Sequence, residues 1–393
     1  MIGPRIDRAF IVQTLRDLVE IDSVNPDLVP GAAGEGAIAG HVARVLADLG
    51  LEVAVHEVAP GRPNVVGRLP GSGRGRRSLM FNAHVDTVGV DGMAEPFGAV
   101  VDDGRMYGRG TYDMKGGLAA ALGAVKALVD AGRPNAGDIL VAAVADEEYA
   151  SLGTQDLVLR YRPDGAVVTE PTELDVCLAH KGFVWLEIET RGRAAHGSRP
   201  DLGVDANIRM GRVLALLEEL SRELDARPAH PLLGHGSLHA ATIHGGEGLS
   251  TYSPACLLHV ERRTMPGETA TSVLREIQQR LDRLSSADPT FDAAVRLVLA
   301  RDAFEVAGDA PLVQAVTEAA SAVLGRPARH VGQMPWMDAA LLAAAGVETV
   351  VMGPIGAGAH AREEWVDLES VHAVAATLAS AAIEYATKAA GSA

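Results

Sequence analysis

The sequence predicts an α/β protein with helices on both faces of a mostly parallel sheet, interrupted by an inserted ferredoxin-like α+β domain. Three observations predict it. Short apolar runs alternate with amphipathic helical stretches through the first half of the chain, the pattern of a parallel sheet flanked by helices. Near Lys181 this gives way to a β-α-β-β-α-β order, and the first pattern returns at Pro311. The imidazole and carboxylate residues with chemical promise stand directly after apolar runs, where open α/β sheets gather their sites. At 393 residues the chain has room for two or three domains of roughly 150 residues each. The element order divides it into a discontinuous domain of residues 1–180 and 302–393 and an inserted one of residues 181–301.

The first element is an amphipathic surface helix. Ile6, Phe10, Ile11, Leu15, Leu18 and Val19 recur at helical spacing between charges, which does not resemble a signal peptide. A loop punctuated by Asn25-Pro26 and glycines leads to a second helix, Ala37 to Leu49, stopped by Gly50. Strands are expected at Leu51–Val58, Asn64–Leu69 and Leu79–Ala83. A helix over Gly117–Ala131 ends at Gly132 and Pro134, and strands follow at Asp138–Ala145 and Gly165–Thr169. In the inserted domain Phe183–Thr190 alternates like a half-exposed strand. After it come a helix (Ile208–Asp225), two strands (Leu238–Ile243 and Ala255–Arg263), a helix (Ser272–Leu284) and a strand (Phe291–Leu299). The chain closes with a helix, a strand, the MDAALLAAAG helix, the strand Glu348–Met352 and a terminal helix.

Composition removes several function classes. A net charge of −16 with no basic stripe argues against nucleic-acid binding. No apolar run reaches the roughly 18 residues of a membrane span. The two cysteines, Cys177 and Cys256, cannot build a disulfide framework; both read as small buried hydrophobes, which fits a reduced, cytoplasmic compartment. There is no G-x-S-x-G elbow, no phosphate-binding glycine loop and no C-x-x-C pair.

Five short motifs carry the chemistry. His84 and Asp86 form H-x-D at a strand end, with side chains on one face, so that Asp86 can fix the tautomer of His84. Asp113 lies in a glycine-dense turn before a helix; one carboxylate there can bridge two cations, or cap the helix. Glu147 and Glu148 follow a continuously apolar strand, which is costly unless something pairs with them. A division of labour resolves this: one holds a metal, and the other takes a proton from a metal-held water. Glu170 ends a further apolar strand, and His360 sits in a glycine-rich loop after another. Two imidazoles and three carboxylates suit divalent ions such as zinc.

This motif set, from SVNP near Asn25 through NVVGRLPG to AHAREEWV, resembles the dinuclear zinc amidohydrolases and peptidases that include acetylornithine deacetylase, succinyl-diaminopimelate desuccinylase, aminoacylase and glutamate carboxypeptidase. The resemblance runs nearly end to end. It implies a zinc-peptidase-like catalytic domain and an inserted lid or dimerisation domain. It implies two zinc ions, with cobalt or manganese as substitutes, bridged by Asp113. His84 and Glu170 complete one site, and Glu148 and His360 the other. Glu147 is then the general base, Asp86 orients His84, and the Asp113-Met114 peptide is cis.

In the inserted domain the resemblance gives His196 the developing oxyanion, often across a dimer, and Arg263 of VERRTMPGET the substrate carboxylate. On strand geometry alone Arg262 is the alternative, since neighbours on a strand point opposite ways. Ser250 stands where many relatives carry an Asn that helps hold this carboxylate.

The expected activity is hydrolysis of the amide bond of an N-acyl amino acid by a metal-held hydroxide, in a cytoplasmic homodimer joined through the inserted domain. A carboxypeptidase or dipeptidase would use the same groups on a short peptide. A non-catalytic scaffold on the same fold is the reading from a different class; the retention of every ligand and of the base speaks against it.

Overall fold

The computed structural model describes residues 4–73 and 75–387. The chain forms two compact units, one of Met1–Leu178, Val306–Val331 and Met337–Ala393, the other of Ala179–Glu305 and Gly332–Trp336.

The larger unit is built on one sheet. Seven of its strands lie in the order Glu52–Ala59, Arg62–Leu69, Ile139–Val144, Leu79–His84, Gly165–Val168, Glu348–Val351 and Val176–His180. The four from Ile139–Val144 to Glu348–Val351 are mutually parallel, and the strands on either side pair antiparallel. Every residue of Leu79–His84, Ile139–Val144 and Gly165–Val168 is buried. Continuous apolar runs of this kind belong to strands covered on both faces. Because these strands are parallel, their carboxyl ends share one edge of the sheet. His84 is the last residue of one; Glu147 and Glu148, Glu170 and His360 follow the others.

The first helix, Arg8–Glu20, starts at Asp7, whose side chain accepts from the Phe10 amide at 3.0 Å. It packs with Gly116–Asp130 and Leu368–Thr387, and Pro311–Leu324 packs on the last of these. Gly116–Asp130 is apolar nearly all round and buried over most of its length. Helices Gly36–Asp48 and Leu152–Arg160 pack against the strand Arg62–Leu69. Ile11 lies so close to Gly123 that a side chain there would strike it, which fixes the approach of the first helix to the buried one.

Besides the strand Val176–His180, two features of this unit have no counterpart in the sequence reading. One is the helix Leu152–Arg160. The other is a four-stranded sheet of short strands, Val100–Asp102, Arg105–Tyr107, Gly356–Ala357 and Trp365–Asp367. Strands of two or three residues are too short to show a period. This sheet pairs Met106 with Val366 across the length of the chain, and the Arg105 guanidinium lies 4.1 Å from the centre of the Trp365 ring. It ties the segment of His360 to the segment that leads into Asp113.

In the smaller unit Gly182–Arg191, Ala206–Ala226, Ser237–Gly245, Ala255–Thr264, Ala270–Ala287 and Asp292–Arg301 give the ferredoxin-like order, with an all-antiparallel sheet. Gly182–Arg191 alternates buried and exposed positions. Val184, Leu186 and Ile188 face a core that includes Met210, Leu217, Ile277 and Leu281 of the two helices. Gly332–Trp336, which the sequence pattern leaves in the larger domain, groups with this unit. The Lys181 amide donates to the Gln333 carbonyl, and the Trp336 ring meets Phe183 edge-on.

Two predictions follow from packing and burial. A Cβ on Gly117 would stand 2.0 Å from the Thr169 carbonyl oxygen, the residue before Glu170. Gly117→Ala is expected to cost about 1–3 kcal/mol from overpacking, although Ala is the better helix former. Gly211 has open space around the same position, so Gly211→Ala is expected to gain about 0.5–1 kcal/mol. Denaturant midpoints of the two variants measure this, and shifts of the same sign would contradict the close-approach argument.

His372 is buried, its nearest carboxylate is Glu369 at 3.7 Å from Nδ1, and burial outweighs that contact and holds its pKa below the ordinary value of 6.5. A histidine lowered on folding binds fewer protons in the native state, so stability is lost as pH falls below 6.5. His372→Leu is expected to gain on the parent between pH 7.5 and pH 5.5 in urea midpoint; an identical difference at both pH values would contradict it.

Candidate metal centre and active site

His84 is the last residue of its strand and is buried. Its Nδ1 meets the Asp86 backbone carbonyl at 3.0 Å, which leaves Nε2 as the nitrogen with a free lone pair. Nε2 lies 3.1 Å from Asp113 Oδ1 and 3.4 Å from Glu170 Oε1. The Asp86 carboxylate is 3.6 Å from Nδ1 and is otherwise engaged. Its two oxygens accept from the amides of Glu147 and Glu148, at 3.1 and 3.2 Å. The orienting contact to His84 therefore runs through the Asp86 backbone, while the side chain holds the acidic loop.

Asp113 lies in the turn Thr111–Lys115 ahead of the buried helix, and the Asp113-Met114 peptide is cis. Its second oxygen, Oδ2, lies 3.4 Å from His360 Nε2, and the same nitrogen lies 3.0 Å from Glu148 Oε2. One carboxylate thus addresses two imidazoles with separate oxygens, and each imidazole also meets its own glutamate, His84 meeting Glu170 and His360 meeting Glu148. His360 takes a left-handed backbone, φ 62°, and its side chain is half exposed, which marks the open side of the cluster. Among the described residues, His84, Asp113 and Glu148 place ligand atoms within 4.8 Å of one another, and so do His84, Glu147 and Glu170.

The electrostatics fit cations. Four carboxylates, Asp113, Glu147, Glu148 and Glu170, face two imidazoles. Burial pushes Glu147 well up and Glu148 up, and it takes Glu170 to about 7, with the Asp113 charge adding to the shift. Burial also acts to raise Asp113, but hydrogen bonds from His360 and His84 outweigh it and hold this carboxyl low. Contacts with Asp113 and Glu148 raise His360 to about 10. Buried anions in excess of their partners are the charge pattern that bound divalent ions neutralise. The mixed imidazole and carboxylate donors suit borderline ions.

The other three sequence-predicted residues belong to the smaller unit. His196 is exposed, with Nδ1 2.8 Å from the Ser198 hydroxyl. Ser250 accepts the Gly197 amide on its carbonyl at 2.7 Å. Arg263 is one-third exposed and donates to Glu261 at 2.6 Å. The neighbouring arginines differ in burial. Arg262 is 1% exposed and is turned inward onto Glu268 at 2.7 Å, whereas Arg263 occupies the opposite face.

Sequence reasoning missed Glu364. This buried carboxylate accepts from the amides of Tyr112 and Asp113 at 3.0 Å on one oxygen. On the other it accepts from Gly110 at 3.0 Å and Arg109 at 2.6 Å. It clamps the turn that presents Asp113. The sequence signal is the second acid of AREE, which follows His360 in the same segment. Asp338 was missed as well. It is buried, its carboxyl is raised to about 6 chiefly by burial, and it accepts from Thr154 at 2.5 Å.

Comparison with known proteins agrees with this geometry. Residues 80–384 match peptidase family M20/M25/M40. An acetylornithine deacetylase of Myxococcus xanthus is 31% identical over 391 residues, covering 95% of this chain and 96% of that protein. An N-formyl-4-amino-5-aminomethyl-2-methylpyrimidine deformylase of Bacillus subtilis is 30% identical over 296 residues, 71% of this chain and 68% of that protein. Among solved structures, an aminopeptidase from Bacillus cereus superposes with a TM-score of 0.80 at 21% identity, covering 98% of this chain and all of that one. A dinuclear metal-binding peptidase from Bacillus subtilis superposes at 0.76 and 16% identity, covering 97% and 99%. At such identities the superpositions speak for the fold, and the sequence matches speak for the family. The chain is a hydrolase of peptidase family M20/M25/M40.

Proposed function

We propose that the chain hydrolyses the amide bond of an N-acyl amino acid at a dinuclear zinc centre. The observation that carries this reading is the Asp113 carboxylate, whose two oxygens meet two histidines, each with its own glutamate. Asp113, His84 and Glu170 would hold one ion, and Asp113, His360 and Glu148 the other. When bound, the ions supply Lewis acidity that makes water a nucleophile near neutral pH and polarises a carbonyl. Glu147 is left to move protons. Its carboxylate, pushed up by burial, takes a proton from the attacking water and returns it to the leaving amine. Sequence relatives named as a deacetylase and a deformylase support an acyl group as the part removed.

From the smaller unit, His196 would donate an N–H to the oxyanion, and Arg263 would take the substrate carboxylate through its planar fork, with Ser250 as a further polar contact. A homodimer through this unit would let His196 serve the partner's centre. We place the protein in the cytoplasm. Two buried cysteines that form no disulfide support that location.

The test is hydrolysis of a panel of N-acetyl, N-succinyl and peptidyl substrates by zinc-loaded protein beside Glu147→Gln. We expect the variant to keep two metals per chain and to lose about 10²–10⁴-fold in kcat. Chelation should abolish the parent's activity, and zinc should restore it. Full activity in Glu147→Gln would remove the base from this assignment. Cleavage of peptides alone would turn the reading to a peptidase.

A further inference from the structure

Behind the acidic loop lies a buried polar cluster that the reaction described above does not use. The Asn25 side-chain amide gives one hydrogen to Asp86 Oδ2 at 2.8 Å and the other to Asp146 Oδ1 at 3.0 Å. Arg62 donates from Nη2 to that same Asp146 oxygen at 2.8 Å. Its Nε reaches both oxygens of Glu35, at 3.1 and 2.9 Å, and Nη1 pairs with Asp27. Asn25, Glu35, Asp86 and Asp146 are fully buried, and Arg62 nearly so.

These groups meet the catalytic loop at two places. Asp86 receives the amides of Glu147 and Glu148. Asp146 immediately precedes Glu147, takes a left-handed backbone at φ 69°, and accepts the Leu152 amide at 3.3 Å on its second oxygen. That conformation is disfavoured for a residue with a side chain, so contacts elsewhere must hold it. Two buried carboxylates, Glu35 and Asp146, share the Arg62 guanidinium with the half-exposed Asp27, and the Asn25 amide is what separates Asp86 from Asp146. Without its two N–H groups these anions would face each other undamped by water.

We propose that Asn25 and Arg62 are positioning residues for the hydrolysis: acting through Asp86 and Asp146, they fix the backbone of the Asp146–Glu148 turn and so aim Glu147 at the proton and Glu148 at the metal. The proposal rests on the roles given to Glu147 and Glu148 above. It assigns a task to the N-terminal loop, which supplies no ligand. A mutation there should act on the centre from outside it, as outer partners of metal ligands do.

The experiment uses the zinc-reconstituted full chain. Asn25→Asp keeps the shape and keeps an acceptor for the Asp27 amide, now 2.9 Å from Asn25 Oδ1, but removes both donors. Asn25→Ser retains one donor, and Arg62→Lys retains the charge without the fork. Arg68→Lys is the control, on the same strand with its side chain 44% exposed against Glu52 and Asp138. The readouts are kcat and KM on the best substrate and zinc affinity by chelator competition.

For Asn25→Asp, kcat and zinc affinity are each expected to fall about 10–100-fold. KM should stay within about threefold, as for a group that acts on the reacting centre rather than on substrate binding. Asn25→Ser and Arg62→Lys should fall between this variant and the parent, and Arg68→Lys should match the parent. If Asn25→Asp does not fold, the two milder variants decide by the same split. Folded variants with parental kcat and zinc affinity would overturn the proposal. So would losses that only track the fraction of folded protein. A parent inactive on the whole panel would sink the functional reading instead, and zinc affinity alone would then decide the positioning role.

Discussion

The Asp113 carboxylate, held between two imidazoles, is the constraint on which the larger unit depends. One oxygen belongs with His84 and the other with His360, and a glutamate stands beside each histidine. The result is a dense patch of anions, largely buried but open on the His360 side. Protein groups alone do not balance it, and the raised carboxyls of Glu147, Glu148 and Glu170 express that imbalance. Two divalent ions would remove it, and many hydrogen bonds of the fold keep these side chains aimed at one place.

Most of those hydrogen bonds are not to the ligands' own side chains. Glu364 takes three backbone amides around Asp113, and Asp86 takes the amides of Glu147 and Glu148. Buried carboxylates accepting backbone N–H groups are charge-assisted and directional, so each sets the position of a whole turn. Asn25, Arg62 and Glu35 add a further layer behind Asp86. The centre is therefore supported by segments from both ends of the chain. The short sheet that pairs Met106 with Val366 provides the same support for the His360 loop.

The smaller unit follows a simpler rule. Its antiparallel sheet buries one face against two helices, so residues one apart on a strand have opposite fates. Arg262 is enclosed with Glu268, and Arg263, its neighbour, stands on the other face with Glu261. The available guanidinium is set by the parity of the strand.

The sequence by itself determined the class of the fold, the ferredoxin-like insertion and the strand ends that carry His84, Glu147, Glu148 and Glu170. These are local properties: an apolar run long enough to be a covered strand, with a costly polar residue at its end, reads the same in any context. The tertiary structure alone decided how those ends meet. No periodicity could show that Asp113 offers separate oxygens to His84 and His360, that Glu364 closes on the Asp113 turn, or that Asn25 lies between Asp86 and Asp146. Each contact joins residues tens to hundreds of positions apart, and only the parallel order of the strands and the closing of long loops bring them within hydrogen-bond range.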